Sequence, residues 1–457
     1  MVKALNLDQT LEPVLKTSPA AKNRFIYSRN KLHMLPSSIG SALTHPLIAP
    51  KIPRAGLDLI KSASGQSDES IESFITRRFG KGMSDDLISA MVHGIYAGDA
   101  SKLSVRSTFG MLYHLEKDYG SVVLGMLMGG GTVETPWDTV LKEKIVAKMP
   151  DLKDFVDKTS IYSFKDGLEE LSRALERDLV ASGRVDIRKA SIVEKLDFDQ
   201  QGRTVNVSIK GQDPLQVDSV VSALPPQVLY SLLPNSYPEL IQNPSVTVAV
   251  VNLVYNGDQA RLPSPGFGYL IPRSENSAVN HKGLLGIVFD SCSIPDQDQG
   301  ASRDHTLKLT AMIGGHMFEQ IVGNHDGVDA NPESSSIKEQ ELLFEQIAVD
   351  AVKKHLKIEA IPDIVKVHIH NQCIPQYLVG HLQRMQTLDQ SLRADYDGLL
   401  AVTGAGYLGV SVNDCIKNAR EVAEAVVSKM GEEEENGEAQ LVGKQDAVTG
   451  LERSWFL

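Results

Sequence analysis

In Thr403-Gly404-Ala405-Gly406-Tyr407-Leu408-Gly409-Val410-Ser411-Val412-Asn413-Asp414-Cys415-Ile416, glycines stand where an apolar run meets an amphipathic stretch, a junction able to hold a phosphate. Residues 399–402 are short enough for a parallel-sheet strand, and residues 412–430 carry apolar side chains at helical spacing. Glycine lets the backbone approach a ligand closely, and the first helical turn offers unpaired N–H groups and a positive dipole end to an anion. Gly404, Gly406 and Gly409 also fit G-x-G-x-x-G. A Rossmann fingerprint needs in addition a second strand with an acidic residue about 20 residues later. Here the helix runs instead into Gly431-Glu432-Glu433-Glu434-Glu435-Asn436, so the turn is read as a cradle outside the usual Rossmann unit.

Arg24 lies on an alternating stretch beside Phe25 and Tyr27, where a guanidinium can pair bidentately with a carboxylate. By exposure alone it reads as a surface strand residue. His368 and His370 are two apart on one strand face, a spacing that can bring two imidazoles to one metal. Metal sites need three or four convergent ligands and no third is identifiable, so sheet histidines and no metal are expected. Cys292, Cys373 and Cys415 are too scattered for a C-x-x-C pair and read as reduced thiols, Cys415 as a small buried residue. Gly129-Gly130-Gly131 lacks the Lys-Ser/Thr of a P-loop, and no G-x-S-x-G nucleophile signature occurs.

The elements that must position these residues are legible from periodicity. Alternation over 24–27, a polar turn Ser28-Arg29-Asn30-Lys31 and a short run ending at Pro36 predict a hairpin. From 67 to about 132 the pattern is helical, with one helix capped near Ser70 and ending at Phe79 and another starting at Ser84-Asp85-Asp86 and ending near Gly94. A further helix is predicted over 166–182. Four short strands follow at 185–187, 192–198, 204–209 and 217–223. Residues 246–255, 268–271, 283–289, 307–313 and 365–370 predict a second sheet, interrupted by a long helix over 337–356. The acidic segment from Gly431 onward reads as disordered, and no internal repeat is present.

A chain of 457 residues implies two or three domains, and 42% hydrophobic with 23% charged residues is an ordinary globular balance. A net charge of -12 argues against nucleic acid as a partner, although one local arginine suffices for a small anionic substrate. No uninterrupted apolar run reaches the length of a membrane span. The stretch 121–131 is apolar, short and glycine-ended, which suits a monotopic contact or a substrate wall. The first 15 residues show no targeting pattern.

Residues 404–416 resemble the carboxy-terminal flavin-contact motif of the protoporphyrinogen oxidase family, within the FAD-dependent amine oxidase-like superfamily. Pro19-Ala20-Ala21-Lys22-Asn23-Arg24-Phe25-Ile26-Tyr27, His93-Gly94-Ile95-Tyr96-Ala97-Gly98-Asp99, Gly266-Phe267-Gly268-Tyr269-Leu270 and Cys373-Ile374-Pro375-Gln376-Tyr377 agree in order and spacing, so the resemblance covers roughly residues 5 to 430. Family members begin with a strand, glycine turn, helix and second strand that hold the ADP half of FAD, whereas this chain starts at Met1-Val2-Lys3-Ala4-Leu5, after that unit.

The resemblance implies a mixed α+β and α/β fold: an FAD-binding domain with an incomplete parallel sheet and a β-meander, a mixed-sheet substrate domain and a helical membrane-associated domain. Their implied extents are 151–245 with 395–430 for FAD, 1–36 with 246–394 for substrate, 37–150 for the helical domain and 431–457 for a tail. It implies oxidation of protoporphyrinogen IX to protoporphyrin IX by FAD and molecular oxygen, with hydrogen peroxide released. Arg24 would hold a propionate, Gly94, Phe267, Leu270, Val288 and Met312 would wall the porphyrin, and Gly404, Gly406, Gly409, Val412, Asn413 and Asp414 would hold FAD. His93 stands where some relatives carry arginine and receives no catalytic role, and no general base is named. A peripheral place on the mitochondrial inner membrane, ferrochelatase as product acceptor and a homodimer are family expectations. Two other readings are a catalytically silent truncated chain that binds porphyrin or a partner, and a different amine oxidase-like flavoenzyme.

Overall fold

Residues 245–256 are rich in β-branched valine, which favours a strand whose successive side chains face opposite sides. In the computed structural model, which describes residues 1–130, 150–275, 283–297, 305–323, 337–431 and 448–455, they form β9 (Ser245–Asn256) inside a seven-stranded sheet. Its spatial order is β13 (Ile364–Pro375), β9, β12 (Thr306–Gly315), β11 (Leu284–Val288), β10 (Gly268–Leu270), β2 (Arg24–Ser28) and β3 (Lys31–Met34). β10 runs parallel to β2 and every other neighbouring pair is antiparallel. On one face Phe25, Tyr27, Val251, Leu253, Tyr255, Tyr269 and Ile287 bury against Phe344, Ile347, Ala348 and Ala351 of the helix Ile337–Ala351. Full burial of each large side chain is worth roughly 1.5–3 kcal/mol, so this face holds the sheet against the helix, while the other face meets the helical layer at Ile26 and Leu285.

A second unit surrounds the glycine turn. β8 (Val220–Ser222) and β14 (Leu400–Val402) pair in parallel, and β5 (Val193–Asp199), β6 (Thr204–Ile209) and β7 (Leu215–Val217) form a three-stranded meander, so the single strand expected over 217–223 is instead the end of β7 and, in another sheet, β8. Its core joins Leu229, Leu232 and Tyr237 to Leu388, Leu392 and Tyr396 of the helix His381–Tyr396. β1 (Leu11–Leu15) pairs with β4 (Thr159–Phe164) rather than with the large sheet, so residues 1–36 are divided between two units instead of forming one.

Three other expectations need correction. Residues 185–187 are not a strand, because Val185 and Ile187 are exposed and no partner strand lies beside them among the described residues. Ser84-Asp85-Asp86 lie inside a helical run that starts after Gly80, where φ is +91°, and ends at Tyr96. The carboxy-terminal segment is not uniformly solvated. Thr449 and Leu451 are fully buried, and Val402 N–H donates to Thr449 O at 2.8 Å, which closes the open side of β14. The acidic run 432–447 lies outside the described residues.

The helical layer is fastened by charge in its interior. Ser70 caps the helix Ile71–Phe79, which carries Arg78, a fully buried guanidinium paired with Asp58 and Glu116. Asp58 in turn accepts from Ser121 Oγ (2.6 Å) and Val123 N–H (3.0 Å), at the start of the helix Val122–Leu127. One carboxylate thereby ties residues 57–60 to 121–127. Breaking a buried pair leaves an uncompensated charge at a cost of about 3–5 kcal/mol. Arg78→Met should lower the local opening free energy of segments 57–79 and 116–127 by that order, measured by hydrogen exchange; unchanged protection would contradict this account.

Candidate active site

On the face opposite the large core, strand register decides which side chains meet. Arg24, Gly268, Val288, Thr310 and Asn252 fall in one row, and Ile26, Leu270, Gly286, Met312 and Val250 in another two residues along. Paired residues point the same way and positions two apart share a face, so Arg24, Leu270, Val288 and Met312 look toward one side. Phe267 precedes β10, and the Arg24 guanidinium lies 5.9 Å from its ring centroid. Arg24 is exposed, and among the described residues no carboxylate pairs with it. Leu270, Val288 and Met312 are half-buried, forming an apolar wall that ends at a cation.

The helix Ser89–Tyr96 lies on this wall through Gly94. A Cβ at Gly94 would stand 2.8 Å from both methyls of Leu270, so a side chain there would displace the Leu270 side chain from its place in the wall. His93, next to it, is buried and donates from Nδ1 to Ile271 O at 2.8 Å while stacking on His316, ring centroids 5.3 Å apart. Burial pushes its pKa down to about 4, so it is a neutral strut under the wall. At the helix end, Gln376 donates to Tyr96 O at 2.9 Å. Tyr96 is pushed up to about 12 by burial, then by the charge of Asp414, and Val410 of the 404–416 segment packs against the buried cluster that contains Tyr96. The helix thus joins the Arg24 wall to the 404–416 segment.

Within that segment Gly404 has φ +111°, a left-handed backbone suited to glycine. A Cβ on Gly406 would meet Pro226 Cδ at 2.4 Å, and one on Gly409 would meet Asp414 Cβ at 2.4 Å. At the start of the helix Val412–Gly431, the Asp414 N–H donates to Ser411 Oγ at 3.1 Å, so Ser411 is the capping side chain. Val412 and Asn413 stand exposed there, with Asn413 Oδ1 accepting from Tyr162 at 2.9 Å. Thr403 Oγ1 is buried without a partner among the described residues. Gly406 and Gly409 are thus required by packing on Pro226 and Asp414, while the open left-handed Gly404, an unused buried hydroxyl and an exposed helix start together fit a large phosphate-bearing cofactor such as FAD.

The comparisons decide which family built this arrangement. The flavin containing amine oxidoreductase model matches residues 1–427. Protoporphyrinogen oxidase of Macaca fascicularis is 35% identical over 433 residues, 93% of this chain and 83% of the relative. That of Schizosaccharomyces pombe is 33% identical over 440 residues, 94% of this chain and 84% of the relative. The chain belongs to the protoporphyrinogen oxidases of the flavin containing amine oxidoreductase family. It is therefore related to FAD-dependent oxidoreductases across nearly its whole described length. A crystal structure from Exiguobacterium sp. 255-15 named for the same oxidase superposes with TM-score 0.67 at 20% identity, covering 93% of this chain and 83% of that one. Cyclohexylamine oxidase from Brevibacterium oxydans IH-35A gives TM-score 0.54 at 13% identity, covering 93% and 84%, and shows the same fold.

All six substrate residues proposed from sequence lie on the sheet and helix that meet at Gly94, and all six cofactor residues lie in the turn and helix start. A cavity of about 460 Å³ lies between Lys165, Gly167, Asn252, Lys308 and Thr310, at the far end of the Arg24 row, so it is displaced from the apolar wall. His368 and His370 are exposed on β13, rings 6.4 Å apart, and no group of three metal-ligating side chains converges among the described residues. Cys415 is half-buried, and burial, then Asp414, raises its thiol pKa. Sequence reasoning assigned no role to Tyr377 and His381. Tyr377 donates to Ala405 O at 2.6 Å and accepts from Gly409 N–H at 2.8 Å, and the i, i+4 spacing of the two rings was the available signal.

Two buried neutral histidines make stability depend on pH. Burial pushes His381 down to about 3 and His93 down to about 4, while unfolded histidine titrates near 6.5. Their contribution is fully present above about pH 6.5 and is lost as the pH falls toward the folded values, at up to about 1.4 kcal/mol per pH unit for each. Urea midpoints should fall from pH 7 to pH 5, less steeply in His93→Gln; a flat profile would refute the assignment.

Proposed function

We propose that this chain oxidises protoporphyrinogen IX to protoporphyrin IX, six electrons and six hydrogens leaving the substrate and passing to three molecules of oxygen as hydrogen peroxide. The observation that carries this reading is Arg24, an exposed guanidinium without a carboxylate partner among the described residues, set over Phe267 at the end of an apolar wall. A substrate that is a large flat ring system with carboxylates at its margin needs both parts. Arg24 would hold a propionate, and Phe267, Leu270, Val288, Met312 and Gly94 would line the ring faces. Gly404 would admit FAD closely, Gly406 and Gly409 would let the FAD-holding turn pack on Pro226 and Asp414, Val412 and Asn413 would offer N–H groups, and Asp414 would keep the helix start capped with Ser411. FAD, when bound, accepts hydride equivalents and returns electrons to oxygen.

Residues 246–380 with β2 and β3 are assigned to substrate binding, 151–245 with 381–430 to FAD because the helix His381–Tyr396 packs in that core, and 37–150 to membrane contact. No helix among the described residues is long and apolar enough to cross a membrane. Ile60 (81% exposed), Leu127 (74%) and Met128 (68%) project from the two segments joined by Asp58, and a cap of this kind suits insertion into one leaflet. In a non-photosynthetic eukaryote the corresponding address is the mitochondrial inner membrane, with ferrochelatase receiving the product and a homodimer as the assembly.

Arg24→Ala should raise KM for protoporphyrinogen IX by ~10- to 100-fold, the loss of one charge-assisted hydrogen-bonding group, with the flavin absorption spectrum unchanged. Oxygen-dependent porphyrin fluorescence reads this out, and a wild-type KM would overturn the anchor role. Replacing Ile60 and Leu127 together by serine should reduce co-sedimentation with phospholipid vesicles at unchanged turnover in detergent; undiminished binding would remove the membrane assignment.

A further inference from the structure

We propose that Arg384, Asn243, His381 and Tyr377 form a hydrogen-bonded clamp with a single proton arrangement that sets the shape of the 404–409 turn, making Tyr377 and His381 positioning residues for the cofactor. The proposal rests on the reading of this turn as the flavin contact. Its logic starts at Arg384, because a guanidinium only donates. Nη2 donates to Asn243 Oδ1 at 2.7 Å, which fixes the orientation of that amide. Asn243 Nδ2 then faces His381 Nδ1 at 2.7 Å and donates to it, so Nδ1 carries no proton. The imidazole proton is left on Nε2, which donates to Tyr407 O at 2.6 Å. Asn243 and His381 are buried, so no water substitutes for a missing partner, and each bond forces the next.

Tyr377 completes the arrangement from the adjacent position. Its ring lies flat on that of His381, centroids 4.0 Å apart and planes 4° from parallel. Its hydroxyl donates to Ala405 O and accepts from Gly409 N–H, so the two side chains hold a backbone group near the start, the middle and the end of the turn. Two turn carbonyls are thereby committed to donors inside the protein. A carbonyl so committed does not swing toward an anionic phosphate, where it would repel it. The clamp is anchored at its outer end by Arg384 Nη1 to Val379 O at 2.9 Å and by Gln227 Nε2 to Asn243 O at 2.7 Å. A protonated His381 would set N–H against N–H, and burial, with Arg384 adding to it, keeps the ring neutral.

Tyr377→Phe, His381→Leu and His381→Gln, made in the full chain, test this with two readouts. Hydrogen exchange of the 403–411 segment without added FAD should quicken about tenfold or more in Tyr377→Phe and His381→Leu, as expected for loss of a buried hydrogen bond, while the 245–256 strand stays unchanged. FAD affinity by fluorescence titration should weaken about tenfold in the same variants, and His381→Gln, which can accept from Asn243 and donate to Tyr407 O, should recover part of both. Wild-type exchange in folded Tyr377→Phe and His381→Leu overturns the clamp. Faster exchange with undiminished FAD affinity overturns the positioning role. Faster exchange with no flavin uptake by any form, wild type included, upholds the clamp and refutes the flavin reading of the turn.

Discussion

The site depends on the register of one three-residue strand. β10 is held parallel to β2 and antiparallel to β11, and this double pairing puts Gly268 between Arg24 and Val288, and Leu270 between Ile26 and Gly286. Because side chains alternate, a slip of one residue would turn Leu270 into the core and Tyr269 out onto the ligand face. Tyr269, fully enclosed beside Phe25 and Tyr27, opposes that slip by its own burial. The core on one side of the sheet therefore specifies the binding surface on the other.

Packing without side chains does the remaining assembly. Gly94 allows the helix Ser89–Tyr96 to rest on Leu270, and Gly315 does the same against Ala97, where a Cβ would lie 2.1 Å from the Ala97 carbonyl oxygen. That helix rests on the apolar wall at Gly94 and, through Tyr96, belongs to the buried cluster against which Val410 of the 404–416 segment packs. A side chain at Gly315 would force the Ala97 backbone away, whereas one at Gly94 would displace the Leu270 side chain of the wall.

The charges sort themselves by whether they are paired. Arg78 is buried between Asp58 and Glu116, and Arg273 bridges Glu72 and Asp85, fixing the sheet to the helical layer. Both guanidiniums are fully engaged in holding the fold. Arg24, by contrast, faces solvent over an aromatic ring with no carboxylate beside it among the described residues, which leaves its fork available to an anionic group from outside.

By itself the sequence determined whatever depends on neighbours along the chain. Period-two runs marked β9, β12 and β13, serine before an apolar run marked the helix at Ser70, and the glycine string marked the 404–409 turn, because strand alternation, capping and tight turns are satisfied within a few residues. Motif resemblance added Arg24, Phe267 and Leu270. Only the tertiary structure decided what those patterns left open. Residues 185–187 have a strand's composition but no partner edge among the described residues, Thr449 and Leu451 are buried where Thr449 O accepts from Val402 N–H of β14, and β1 pairs with β4 instead of the large sheet. Likewise Asn243, His381 and Tyr407 are separated by 138 and 26 residues, and nothing local marks them as one hydrogen-bonded chain. Such pairings are set by which buried donors and acceptors end up facing one another once the cores have formed, and that is a property of the folded chain alone.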